Sequence, residues 1–239
     1  MCQQINRFIE GFSSKSTLYQ YKTQSICDFN GGVLGYELLI DNSSSIEVEI
    51  VLGMNVHKDI TFSSSANNLI DRLKDAVINS DFVDLNGKKV FINIERSNLC
   101  DITLIARLIE LKGLLVRYNS ALVVEITERN TCGACVRILS GLALLKDNGI
   151  SLAADDFDVY NGDFREEEVS MGIYDYIKIR APKTCYEIGK VVSSLEHIKE
   201  RVILEMVESA EVLKSISYFS SNVYGLQGYY FDLGKPVSI

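Results

Sequence analysis

The stretch "YKTQSICDFNGGVLGYELLI", Tyr21 to Ile40, decides the fold. Two runs rich in β-branched and apolar residues, "YKTQSICDF" and "VLGYELLI", meet through "DFNGG", a connection of hairpin length. One strand of the sheet is therefore expected to run against the rest. Downstream the rhythm changes. The strand candidates "KKVFINIE", "LVVEITE", "SLAADDF", "YDYIKI", "RVILEMV" and "VYGLQGYYF" alternate with amphipathic stretches. In "ANNLIDRLKDAVI", Leu69, Leu73 and Val77 recur at helical spacing. "DITLIARLIELKGLL" and "CVRILSGLALLKDNG" follow the same period, the second stopping at Asn148-Gly149. "PKTCYEIGKVVSSLEHIKE" places Pro182 near a helix start, where a missing N–H costs little. Alternating strands and helices imply a mostly parallel sheet. Eight strand candidates predict an α/β fold, a closed TIM-like (β/α)8 barrel with one antiparallel strand.

The chain of 239 residues has enough apolar sequence, 47%, for a sizeable core. With two prolines and no low-complexity linker, it is read as one stand-alone domain over 1–239, its core from about 19 to 236. A formal charge of −8 argues against direct binding of nucleic acid by bulk charge. The start "MCQQINRFIEGFSSKS" has no long apolar segment, and no run approaches the roughly 18 apolar residues of a membrane span. Six scattered cysteines do not form a disulfide framework, so a reducing, cytoplasmic location is expected.

Polar residues fall in the latter part of almost every strand candidate: Glu37, Asn93, Glu125 and Glu128, Asp155 and Asp156, Lys178, Glu205 and Glu208, and Gln227. The C-terminal ends of barrel strands converge on one mouth. Several carboxylates gathered there repel one another, and one lysine cannot balance them. Divalent cations can. The donors are all oxygen, and neither His57 nor His197 lies on a strand candidate, which points to Mg²⁺ or Mn²⁺ over zinc. Two such ions, about 3.5–4 Å apart, would activate water and clamp a phosphodiester. Lys178 could orient that water or stabilise charge.

The motifs, in order and spacing, resemble the EAL domain of bacterial cyclic-di-GMP phosphodiesterases from about Tyr19 to Pro236. The signature tripeptide is "ELL", Glu37 to Leu39; "FINIERSNL" is similar to the asparagine motif and "VEITE" to the Glu-x-Thr-Glu element. "ADDFD" resembles Asp-Asp-Phe-Gly, "YDYIKI" the lysine strand, "LEMVES" the Glu-Gly-Val-Glu strand and "LQGYYFDLGKP" the ending. Each is weak alone; seven in order are specific. The resemblance implies a two-metal site that hydrolyses cyclic-di-GMP to pGpG. It implies metal ligation by Glu37, Asn93, Glu125, Asp155, Asp156 and Glu205. Glu37 and Glu205 would share in catalysis, Lys178 and Gln227 would position the attacking water or its neighbours, and Glu128 would brace the loop after the aspartate pair.

Three positions depart from the family. Asp41 stands where an arginine holds the ligand's phosphate, Asp158 where the loop has glycine, and Met206 where the glutamate strand has glycine. These departures, and the lack of a fused sensory or cyclase domain in the sequence, carry an alternative: a non-catalytic EAL-like regulator. It would act through protein–protein binding, for example on a flagellar or fimbrial transcription regulator. The resemblance also brings motility or biofilm signalling as a setting and leaves a homodimer open. Three further signals are read as structural. "TCGAC", Thr131 to Cys135, has Cys-x-x-Cys spacing but lies outside a thioredoxin-like unit. "REEEVS", Arg165 to Ser170, is expected to be a solvated loop or helix start, and "GYYF", Gly228 to Phe231, to pack the final strand.

Overall fold

The computed structural model describes residues 21–40, 62–79, 84–127, 135–198 and 201–237. Asp41, His57, Glu128 and Cys132 lie outside the described residues. The hairpin stretch forms β1 (Tyr21–Cys27) and β2 (Val33–Ile40), paired antiparallel with Gln24 opposite Glu37. Its turn is closed by Asp28, whose carboxylate accepts from the Asn30 and Gly32 amides at 2.8 Å each. This is the Asx turn expected of Asp-x-Asn-Gly chemistry.

Strands β3 (Lys89–Glu95), β4 (Ala121–Thr127), β5 (Ser151–Ala154), β6 (Tyr176–Arg180), β7 (Arg201–Glu205) and β8 (Val223–Gln227) follow. From β2 to β8 each strand pairs parallel with the next, and β1 closes the ring by pairing antiparallel with both β2 and β8. A short β9 (Lys235–Val237) lies along the first residues of β1, with Tyr21 opposite Val237. The expected closed barrel with one antiparallel strand is borne out, with one strand more than the sequence suggested.

The described helices are α1 (Phe62–Ile78), α2 (Ile102–Arg117), α3 (Val136–Asp147), α4 (Glu166–Ser170), α5 (Cys185–Leu195) and α6 (Ala210–Ile216). Leu69, Leu73 and Val77 are buried, as their spacing predicts. Helix α2 buries Leu104, Leu108, Leu111 and Leu115, each side chain contributing about 1.5–3 kcal/mol of transfer free energy. Its start is fixed by Asp101, which accepts from the Thr103 amide at 2.9 Å. Helix α5 begins after Thr184, so Pro182 stands just outside it.

The barrel interior is a layer of Ile26, Phe91, Val123, Ala153, Tyr176 and Ile203, one residue from each of six strands. Phe91 and Tyr176 meet edge to face, 5.6 Å between centroids. Room for these rings comes from Gly35 on β2, where a Cβ would lie 2.6 Å from the Lys89 carbonyl oxygen and 3.1 Å from the Phe91 ring. This layer is the floor of the candidate site.

Candidate active site

The strand period of two places the polar residues directly above that floor. Asn93 follows Phe91 by two, Glu125 follows Val123, Asp155 follows Ala153, Lys178 follows Tyr176 and Glu205 follows Ile203. On the antiparallel strand the direction reverses, so the corresponding residue precedes Ile26 and is Gln24. Gln24 is the residue that reading C-terminal strand ends overlooks; the hairpin prediction, followed through, would have found it.

Lys178 lies at the centre. Its Nζ is 2.9 Å from Glu37 Oε2, 3.0 Å from Glu125 Oε1, 3.2 Å from Asp155 Oδ1 and 2.8 Å from Glu205 Oε1. Glu37 is held further by Asn93 Nδ2, donating to Oε1 at 2.6 Å, and by Gln227 Nε2, donating to Oε2 at 2.6 Å. Gln227 Nε2 also donates to Gln24 Oε1 at 3.0 Å, and Gln24 Nε2 donates to the Asp232 carbonyl at 3.1 Å. Gln24, Glu37, Asn93, Asp155, Glu205 and Gln227 line a cavity of about 540 Å³, together with Asp156, Met206 and Tyr229, while Lys178 and Glu125 are buried beneath it. Of the sequence-predicted site residues within the described segments, the structure brings Glu37, Asn93, Glu125, Asp155, Asp156, Lys178, Glu205 and Gln227 to this one region. Asp41 and Glu128 fall outside those segments.

The electrostatics follow from four carboxylates sharing one ammonium. Burial pushes the Glu125 carboxyl well above the usual range, and the charges of Glu37, Asp155 and Glu205 push the same way against Lys178. Burial raises Glu205 to about 8, reinforced by Asp155 and Glu37 and opposed by Lys178. Burial would raise Glu37 too, but Lys178 and the hydrogen bonds from Gln227 and Lys178 outweigh it and hold its carboxyl below the usual range. Burial works against the Lys178 charge, and the four acids more than offset it, so the amine stays protonated.

The donor set suits a hard divalent cation. It is all oxygen, it carries more negative than positive charge, and Asn93 Oδ1 is a buried acceptor with no hydrogen-bond partner among the described residues. Among the described residues no three His, Cys, Asp or Glu side chains already stand in metal-binding geometry. The acids converge on Lys178 Nζ, and Glu37, Asn93, Glu125, Asp155, Asp156 and Glu205 are the residues that would hold such ions.

Two backbone features flank the acids. Asp156 has φ 46° and Met206 φ 57°, both left-handed. Asp tolerates this region; Met does so at a cost, which explains a family preference for glycine at the Met206 position. Gly228 follows Gln227 with φ 155°, and a Cβ there would lie 2.2 Å from the Val207 carbonyl oxygen. The chain turns there, which corrects the expectation for "GYYF" in part: β8 ends at Gln227 and Tyr229 and Tyr230 are exposed, while Phe231 packs against the core.

The loop after the aspartate pair manages without glycine at Asp158. Asp158 does not occupy left-handed backbone. Its carboxylate accepts from the Tyr160 amide at 2.9 Å, the Asn161 amide at 3.0 Å and Asn161 Nδ2 at 2.9 Å, so it builds a turn in place of glycine's freedom. The run "REEEVS" is a helix start, as expected, with α4 beginning at Glu166, but it is not wholly solvated. Arg165 is fully buried and donates to the Ile126 carbonyl at 2.8 Å, the Asp155 carbonyl at 2.7 Å and the Asp163 carboxylate at 2.8 Å. Glu168 pairs with buried Arg96 and accepts from Tyr174 Oη at 2.8 Å. Glu166, Glu167 and Ser170 are the exposed residues of the run.

Comparison with known proteins agrees with this architecture. No protein-family model matches the chain. A probable cyclic di-GMP phosphodiesterase, PdeG of Escherichia coli (strain K12), is 27% identical over 163 residues, 64% of this chain and 31% of its own length. The chain thus spans about a third of that relative. The EAL domain of FimX from Pseudomonas aeruginosa, bound to c-di-GMP, superposes with TM-score 0.60 at 17% identity, covering 100% of this chain and 96% of that one. Klebsiella pneumoniae BlrP1, a calcium/cy-diGMP complex, superposes with TM-score 0.66 at 18% identity, covering 92% and 56%. The resemblance to the EAL family read from the sequence motifs is borne out: the chain has the fold of an EAL domain.

Proposed function

We propose that this chain is a cyclic-di-GMP phosphodiesterase that opens the dinucleotide ring to pGpG with the help of divalent cations. The observation that carries the reading is the convergence of Glu37, Glu125, Asp155 and Glu205 on Lys178, with Asn93 and Gln227 bracing Glu37, at the base of a cavity that Glu37, Asn93, Asp155, Glu205 and Gln227 line. PdeG is named for this activity, and BlrP1 is described with calcium and the dinucleotide together, which supports it. Glu37, Asn93, Glu125, Asp155, Asp156 and Glu205 would hold two ions, Mg²⁺ or Mn²⁺. Bound there, the ions would polarise the phosphodiester and lower the pKa of an attacking water. Lys178, fully buried, supplies a fixed positive charge that holds the four carboxylates together, Gln227 orients Glu37, and the apolar floor of Phe91 and Tyr176 keeps bulk water from below.

A second reading has its own support. The Lys178 ammonium contacts all four carboxylates, which partly satisfies them without added cations, and Asp41 replaces a phosphate-holding arginine. In that reading the chain regulates by binding a protein such as a transcription regulator, or binds the dinucleotide without cutting it. The test is conversion of cyclic-di-GMP to pGpG in Mg²⁺ or Mn²⁺, with Glu37→Ala as control. Product formed by the native chain and lost in the variant supports the phosphodiesterase. Binding without product leaves a sensor, and neither binding nor product overturns both ligand-directed readings.

A further inference from the structure

Strand β5 is short, and its ladder to β6 covers only two pairs, Ala153 with Tyr176 and Ala154 with Ile177. Asp155 and Asp156 stand beyond that ladder. Two hydrogen bonds from later loop residues carry the seam onward. The Phe157 amide donates to the Lys178 carbonyl at 2.8 Å, and Tyr160 Oη donates to the Arg180 carbonyl at 2.6 Å.

Tyr160 makes a second contact with the same residue. The Arg180 guanidinium lies 4.5 Å from its ring centroid, within cation–π range. Arg180 is itself fixed by Glu187 of α5 at 2.6 Å, whose other oxygen accepts from the Lys183 amide at 2.6 Å. Arg180 also stands beside Glu205 in the β6–β7 register, two residues after Lys178. On its other side the loop is held to β4 by Arg165, which donates to the Ile126 and Asp155 carbonyls. The aspartate pair is thus slung between two anchors, a buried arginine toward β4 and a half-buried tyrosine toward β6.

We propose that Tyr160 is a positioning residue of the site: its two contacts with Arg180 seat the aspartate loop on the lysine strand and so set how tightly Asp155 and Asp156 help to hold a divalent cation. The inference rests on the reading of this cavity as a cation-dependent phosphodiesterase site. Without the hydroxyl bond the loop moves more freely in the empty site, and cation binding must then supply the missing order. Burial raises the Tyr160 hydroxyl to about 12, with Arg180 opposing, so it stays a donor at neutral pH.

Isothermal titration of Mn²⁺ into the full chain tests this, with Glu37→Ala marking the heat that belongs to the site. Tyr160→Phe keeps the ring over Arg180 and removes only the hydroxyl. Its Mn²⁺ affinity should fall about three- to tenfold, the size of one lost hydrogen bond. Asp101→Ala, which removes the cap of α2 and makes none of these loop contacts, lowers stability and should bind Mn²⁺ as the native chain does. Turnover of cyclic-di-GMP lost in Tyr160→Phe should return when Mn²⁺ is raised by the same factor. Native-like affinity in Tyr160→Phe, an equal loss in Asp101→Ala, or a turnover loss that added Mn²⁺ does not restore would overturn the positioning role and leave the phosphodiesterase reading standing. A native chain that binds no Mn²⁺ in the cavity would overturn both.

Discussion

Met206 and Lys178 show how single residues carry opposite strains at the same site. Met206 is held at φ 57° with nearly half its surface exposed, so little packing rewards the conformation. Met206→Gly should raise stability by about 0.5–1 kcal/mol, read as a higher urea midpoint at unchanged slope. An unchanged or lower midpoint would show that the side chain earns its place by contacts. Lys178 is the reverse case. Lys178→Met leaves four carboxylates facing one another and should cost about 3–5 kcal/mol at pH 8. Without the ammonium, Glu37 would lose the charge that holds its carboxyl low and Glu125 and Glu205 would be raised further, so the folded state would bind more protons than the unfolded one across neutral pH. Its stability should therefore fall more steeply than the native chain's as pH rises from 5 to 8, in parallel urea titrations.

The residues legible in the sequence were those whose meaning rests on strand period and charge. Glu37, Asn93, Glu125, Asp155, Lys178, Glu205 and Gln227 sit where a two-residue repeat and a common mouth put them. Those missed depend on contacts across the fold. Arg165 reads as part of an acidic surface run until the structure buries it under two strand-end carbonyls. Gln24 was hidden by strand direction.

At the scale of elements, the loop from Asp155 to Arg165 is a polar clamp, not a glycine hinge. Burial would raise the Asp163 carboxyl, but the Arg165 guanidinium, the Arg165 amide and the Asp158 amide hold it below the usual range. A carboxylate lowered in this way stabilises the fold above its unfolded pKa, near 3.8, and that contribution disappears as pH falls through the lower folded value. Asp163→Asn should therefore cost about 3 kcal/mol at neutral pH, because it leaves the buried Arg165 charge without its partner. The difference between native and variant chains should shrink below about pH 3.5 in denaturant titrations. A pH-independent difference would mean that shape, not charge, holds the loop.

At the scale of the whole molecule, the barrel gathers acids whose charge opposes folding. Glu205, near 8 in the folded state against 4.5 ordinarily, makes the folded chain hold more protons over that interval. Stability should decline as pH rises through it, unless cations take over the role of the protons. Millimolar Mg²⁺ or Mn²⁺ should thus raise the melting midpoint several degrees at pH 8 and much less at pH 5. Equal shifts at both values would place the ions elsewhere. The closure of the barrel is less costly to disturb. Ser25 donates to the Asp232 carboxylate through Oγ at 2.7 Å and through its amide at 3.2 Å, so Asp232→Ala should lose about 1–2 kcal/mol by the same measurement.

The position of β9 has a mechanical meaning. Tyr21 and Val237 face each other at one end of an antiparallel ladder that continues to Thr23 and Lys235. A force applied through the chain on either side would load those rungs one after another, as a zipper, instead of shearing them together. β9 would thus begin to peel from β1 at low tension, before the barrel ring itself and its long β3–β4 register come under load.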